Sequence, residues 1–466
     1  MCRVFLLFLA FSCSLAAQEQ PPVTVDVSGQ INSVTQGKFN FHSPYSGGNS
    51  LPSAGEVASS RVLTLFTKLV LPASTDLEID IESAGGSGIG NALGLAAFVN
   101  LDVVRNPTLG SKPYLARAVL HHSFFRQSEQ RRLDVYAGQF STVDWFDVNA
   151  VGSDSHTQFL NWAIDNNAAY DYAADTRGYS RGVLVQWATA KWELRAAEMM
   201  MPTVANGLDL AWSGSTRSEN FELERHTSLL GANGSITLLS FVNHADMGDY
   251  REAIADCAPG AVPNVTLHRH PGSVKYGFGL NLQQTLTHDV RVFARWGWNE
   301  GQHESFAYTE ANSTVAVGMD VHYLRNFKTG LAVASGGISA DHKAYLAAGG
   351  MGFLLGDGRL SYGRETAIET YTTYSFPKGI SASLDLQFIS NPGYNRDRGP
   401  VWVPAVRLHW DLPRFQKNGS EAIGVTPSSR PTSCLPKICR ITVSHAEIGG
   451  NVAHIALVSD LYVQHP

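Results

Sequence analysis

Charge is scarce in this chain. Only 16% of its 466 residues are Asp, Glu, Lys or Arg, against ~25% in an ordinary soluble domain. Positive charge is not in excess either. The formal net charge is -6, which leaves no basic face for nucleic acid and excludes that class of partner. After the N-terminus there is no apolar run near the ~18 residues of a membrane-crossing helix. Cysteine is rare, with 5 in the whole chain. Cys2 and Cys13 fall in the leader, and Cys257, Cys434 and Cys439 do not make a disulfide framework. A dinucleotide fingerprint is missing too. Gly85–Gly90 reads Gly-Gly-Ser-Gly-Ile-Gly, which has the wrong spacing and no βαβ succession after it, so it reads as a flexible loop.

What is present is alternation. Ile380, Ala382, Leu384, Leu386 and Phe388 fall on one face of an extended chain, opposite Ser381, Ser383, Asp385 and Gln387. Trp402, Pro404, Val406, Leu408, Trp410 and Leu412 share the next apolar face, opposite Arg407, His409 and Asp411. Period two means strands with one apolar and one polar side. Each run has the ~10 residues a tilted strand needs to cross a bilayer, and Trp402 and Trp410 stand where interfacial aromatics belong. The pattern recurs. Tyr276, Phe278, Leu280 and Leu282 alternate with Lys275, Asn281 and Gln283; Val290, Val292, Ala294, Trp296 and Trp298 alternate with Arg291, Arg295 and Asn299. Two arginines so close on the covered face of a soluble sheet would be unusual, whereas a water-filled lumen accepts them. Lys275, Gln283, Arg291, Arg295, Asp385, Gln387 and Arg407 are therefore the expected lumen-facing residues. Lys343–Phe353 and Arg359–Phe376 read as further strands, and very short turns alternate with long polar connectors. Together these features predict an all-β, transmembrane antiparallel β-barrel. A soluble or periplasmic all-β carbohydrate-binding protein or glycoside-active enzyme explains the alternation but not the strand length, end-placed aromatics and turn asymmetry together.

The segment 142–179 differs in kind. Asp144, Trp145, Asp147, Asn149, Asn161, Trp162, Tyr170, Asp171, Tyr172, Asp175 and Arg177 crowd into it. Aromatic faces suit the C–H side of a pyranose, and carboxylates, amides and Arg bond its hydroxyls. Folded inward, the segment would form a pore constriction with these residues as sugar contacts. As an outer loop, its aromatics would pack on each other. Paired acids such as Asp144 with Asp147, or Glu300 with Glu304, carry little weight as a glycosidase signal among 41 acidic residues. His121-His122 and His268-Arg-His270 lack a third ligand at a defined spacing. The expectation is no catalysis, no metal and no cofactor.

Several blocks resemble the OprB-type carbohydrate-selective porins: Gly138–Asn149, Gln158–Trp162, Tyr170–Tyr179, Gly277–Gln284, Gly349–Gly358 and the closing Leu384–Gly393 hairpin. The resemblance spans about 39–412. It implies a barrel of roughly sixteen strands in a Gram-negative outer membrane, passing mono- or oligosaccharides passively past an inward loop. Its implied partners are outer-membrane lipid and the barrel assembly machinery, with the protein a homotrimer or a monomer. The chain then divides into a signal peptide (1–16, with Arg3 before the apolar Val4–Phe11), a lead-in (17–60), the barrel (61–412) and a disordered periplasmic tail (413–466) that departs from the family. Pro413 is expected to end the last strand, and Cys434 with Cys439 would close a small disulfide loop at most.

Overall fold

The structure, a computed structural model, describes residues 23–102, 109–128, 131–229 and 231–418, with strand fragments at 424–425, 440–443 and 457–460. The signal peptide, Cys434 and Cys439 and most of the tail lie outside the described residues. Sixteen antiparallel strands form one closed sheet. In order they are β1 (Thr24–Lys38), β2 (Glu56–Leu71), β3 (Thr75–Gly86), β4 (Tyr114–Ser128), β5 (Arg131–Phe140), β6 (Ser180–Ala188), β7 (Trp192–Met199) and β8 (Arg217–Leu229). They continue as β9 (Ala232–Gly248), β10 (Arg269–Thr285), β11 (Val290–Asn299), β12 (Ser313–Tyr323), β13 (Phe327–Gly337), β14 (Glu365–Ser375), β15 (Ile380–Ser390) and β16 (Val401–Asn418). Each strand pairs with its sequence neighbours, and β1 pairs with both β2 and β16, so the sheet has no open edge.

Alternation sets the two faces. Tyr276, Phe278, Trp296, Trp298, Leu384, Trp402, Leu408 and Trp410 are exposed on the outside, where their solvent is lipid. Lys275, Arg295, Asp385, Gln387 and Arg407 are buried on the inside. The connections are sharply unequal. Residues 72–74, 189–191, 286–289, 324–326 and 376–379 make tight turns at one end. Residues 39–55, 141–179, 249–268, 300–312, 338–364 and 391–400 make long loops at the other. In outer-membrane barrels the long loops face outward.

Three expectations need correction. The lead-in is not separate from the barrel: Thr24–Lys38 is β1, and Gln30, Asn32, Gln36 and Lys38 are buried on its inner face. Its polar inner side and small outer residues (Ser33, Thr35, Gly37) hide the period from a hydrophobicity reading. Lys343–Phe353 contains no strand. Ala340–Ala347 is a helix with the good helix formers Ala, Lys and Leu at five of its eight positions, N-capped by Ser339, whose side chain accepts from His342 N–H.

Nor does Pro413 end β16, which runs on to Asn418. The register with β1 shifts there: Gly29 pairs with Leu412 and Val27 with Phe415. Pro413 thus sits in an irregularity that asks no ladder bond of it. Beyond it, Thr24, Val25, Asp26 and Val27 pair with Asn418, Lys417, Gln416 and Phe415, and Arg414 bonds Asp26. Truncation after Asn418 is therefore expected to leave assembly intact, whereas truncation after Leu412 slows it. Heat-modifiability gels during refolding give the comparison; equal yields from both would place the barrel's end at Leu412.

Candidate functional site

The loop between β5 and β6, residues 141–179, folds into the barrel and is bolted to the inner wall. The Glu369 carboxylate of β14 accepts from Leu160 N–H at 2.5 Å and Asn161 N–H at 3.0 Å. Asn161 Nδ2 donates to Gln387 Oε1 of β15 at 3.0 Å. On β16, Arg407 Nη1 donates to the carbonyls of Ser155 at 2.6 Å and Gln158 at 2.8 Å. Arg295 of β11 meets the Asp147 carboxylate at 2.6 Å and donates to Ile164 O at 2.8 Å and Asp147 O at 2.9 Å. Lys275 of β10 pairs with Asp171 at 3.1 Å and donates to Ser305 Oγ at 2.9 Å. Gln283 accepts from Ala150 N–H at 2.7 Å. A Cβ on Gly297 of β11 would lie 2.0 Å from Asn167 Oδ1, so only glycine lets the loop come this close to the wall.

These inner residues are not bathed in water. Lys275, Arg295 and Arg407 have no measurable side-chain exposure to solvent or nearly none, because the loop covers them and its carboxylates and carbonyls replace water. Buried charge is tolerated only with such partners. Asp385, beside Gln387, is covered as well. Arg291, nearer the turn end, bonds Asp320 through Nε at 3.0 Å and keeps some exposure.

The aromatics that sequence reading assigned to sugar contact are spent on packing against one another, the barrel wall and a second loop. Trp162 stacks on Tyr308 with centroids 4.8 Å apart and on Tyr172 at 6.2 Å. Trp145 packs on Tyr136 of β5 at 4.2 Å, and Tyr170, whose hydroxyl donates to Asn220 at 2.6 Å, packs on Phe241 at 5.2 Å. All four are buried. Asn149 folds back to accept from Val151 N–H at 2.9 Å and Gly152 N–H at 2.7 Å. Asp171 also accepts from the N–H groups of Phe306 at 2.9 Å and Ala307 at 2.8 Å. The loop is thus inward, with its aromatics packed away on the wall, on a second loop and on one another.

A partly exposed group remains where both ends of the loop meet β3 and β4. Arg117 of β4 bonds Asp144 through Nε at 2.8 Å and Nη2 at 2.9 Å. Tyr114 and Tyr179 both donate to the Glu82 carboxylate, the latter at 3.1 Å. The Arg177 guanidinium lies 3.8 Å from the Tyr114 ring centroid. Asp175 accepts from the N–H groups of Arg177 at 2.8 Å and Tyr179 at 3.1 Å; burial pushes its carboxyl up, against those backbone donors. Asp144, Asp175 and Arg177 come from the sequence-derived set. Glu82, Tyr114 and Arg117 do not. Glu82 shares the inward parity of Glu78 and Asp80, but Tyr114 and Arg117 stand three apart and face the same way only because the register with β3 shifts between Asp80, paired with Arg117, and Ile81, paired with Leu115.

Comparison with known proteins agrees with this architecture. The model of the carbohydrate-selective porins, OprB family, matches residues 69–412. Pseudomonas putida OprB, solved at high pH, superposes with a TM-score of 0.65 at 15% identity, covering 83% of this chain and 94% of that one. The outer membrane channel DcaP of Acinetobacter baumannii aligns over 84% of this chain and 98% of its own, at 10% identity and a TM-score of 0.47. The first likeness speaks to the fold alone and the second to nothing further. No curated protein matches the chain.

Proposed function

Taking as premise that the chain belongs to the OprB family of carbohydrate-selective porins, and so is an integral outer-membrane channel for sugars rather than an enzyme, we propose that it passes them by passive diffusion past the inward loop. The observation that carries this is the loop's fixation. Glu369, Arg295, Arg407 and Lys275, on four different strands, hold it across the lumen, which makes it a standing constriction. The sugar-contacting surface is the partly exposed group of Tyr114, Arg117, Asp144, Asp175, Arg177 and Glu82. It offers one accessible aromatic ring among charged donors and acceptors, the mixture that binds adjacent hydroxyls. The buried Trp145, Trp162, Tyr170 and Tyr172 act as the scaffold that shapes it.

Planar-bilayer recording tests the reading. The purified full chain is expected to give ohmic channels whose current falls with added sugar and needs neither nucleotide nor proton gradient. Channels indifferent to sugar at every concentration would remove the selectivity from the account, and no channels at all would remove the transport.

A further inference from the structure

We propose that the outer rim carries a binding site for the phosphate groups of an outer-leaflet glycolipid, built on Arg364 and Arg396. The inference rests on outer-membrane placement and is independent of which solute crosses the lumen. Arg364 directly precedes β14 at the loop end and shares the outward parity of Thr366 and Ile368. Its guanidinium spans three strands. Nε donates to Ser335 Oγ of β13 at 3.1 Å, Nη2 to Ser335 O at 2.7 Å and Nη1 to Ser313 Oγ of β12 at 3.1 Å. Thr366 Oγ1 donates to Ser335 Oγ at 3.1 Å, adding a third hydroxyl to the patch.

Arg396, from the loop before β16, lies alongside. A Cβ on Gly363 would stand 2.7 Å from Arg396 Cγ, 2.9 Å from its Nε and 2.9 Å from Asn391 Nδ2. That same Asn391 amide donates to Arg364 O at 2.9 Å, so the two arginines share one small patch, and both are exposed.

The patch carries unbalanced charge. In the lumen Arg117, Arg132, Arg195, Arg291 and Arg295 each pair with a carboxylate. Among the described residues, neither Arg364 nor Arg396 does, although Arg364 is held firmly by neutral oxygens. Holding a guanidinium in place by hydroxyls leaves it preorganised and its charge unanswered, which suits a planar fork for an external anion. Height selects the anion. Val315, Leu331 and Ile368, outward residues further along β12, β13 and β14 toward the membrane centre, are exposed apolar side chains. The arginines therefore sit at the upper edge of the lipid-facing wall, where a lipid's phosphate stands above its acyl chains, and they do not face the lumen.

Native mass spectrometry of the full chain in detergent tests this, with bisphosphorylated lipid A and its dephosphorylated counterpart as probes. Wild-type protein is expected to retain the phosphorylated lipid about tenfold better, the scale of one charge-assisted bonding pair, and R364Q/R396Q to lose that preference. R225Q, at the turn end where Arg225 lies over Trp192, should keep it. If the double variant does not reach the heat-modifiable folded form, R396Q alone, on an exposed loop, carries the test and should show a reduced preference. Equal retention of the two lipids by the wild type, or undiminished preference in a folded variant, overturns the proposal. Inorganic phosphate alone, if it displaces the lipid at millimolar concentration, assigns the site to soluble anions and overturns the lipid assignment. Loss of self-association in the variant without change in lipid retention assigns the patch to a contact between copies and overturns it as well.

Discussion

Arg295→Ala is expected to raise single-channel conductance, abolish sugar-dependent block and cost about 3–5 kcal/mol of stability, the range for removing one partner of a buried ion pair. The size follows from what Arg295 does at once. It neutralises Asp147 at 2.6 Å and gathers the carbonyls of Ile164 and Asp147 and the Ser153 hydroxyl. Without it, a carboxylate and several acceptors are left buried against the wall, and the loop gains by moving into water. The effect should depend on pH. Burial pushes the Asp147 carboxyl up to about 6, against the pull of Arg295, so in the variant the stranded group is neutral at pH 5 and costs little, but is charged or must stay protonated at pH 8, where the loss is greater. Urea unfolding and bilayer recording at both pH values measure it. Wild-type conductance and stability in the variant would show that the loop is held elsewhere.

Arg117→Gln is expected to make the channel more cation-selective and to weaken sugar block by about tenfold, as loss of a charged hydrogen-bond donor worth ~1.5–3 kcal/mol would do. Arg117 is a cation held between Asp80 and Asp144, and it bonds Asp144 through two nitrogens. Removing it leaves an acidic ring, and charge rings act on ions. Arg117→Lys keeps the charge while losing the fork. It should therefore restore ion selectivity but only part of the sugar block. Reversal potentials in asymmetric salt, read with sugar titrations, separate the two. Should Arg117→Gln alter neither, the group at β3 and β4 does not touch the permeating solute.

Much of the barrel was legible because period two is a local property. β10, β11, β15 and the part of β16 up to Leu412 stand in the structure with the faces their alternation indicates. β1 escaped because its outward side is small and its inward side polar, which leaves little contrast. The extension past Pro413 escaped because its permission comes from a bulge with β1, a partner far away in sequence. The loop was legible as chemistry but not as geometry. Its Trp and Tyr residues look the same whether they stack on a sugar or on each other, and only Tyr308, from another loop, decides between the two by covering Trp162 and Tyr172. Likewise, Lys275 and Arg407 were readable as inward residues. That they are dry follows from a loop more than a hundred positions away.

Liposome swelling tests the central claim most directly. Vesicles carrying the full chain, placed in isotonic sugar without any energy source, are expected to swell at once, and faster than in an amino acid or polyol of equal size. Vesicles that do not swell in sugar, or that swell equally in every solute of that size, would contradict a sugar-selective passive channel.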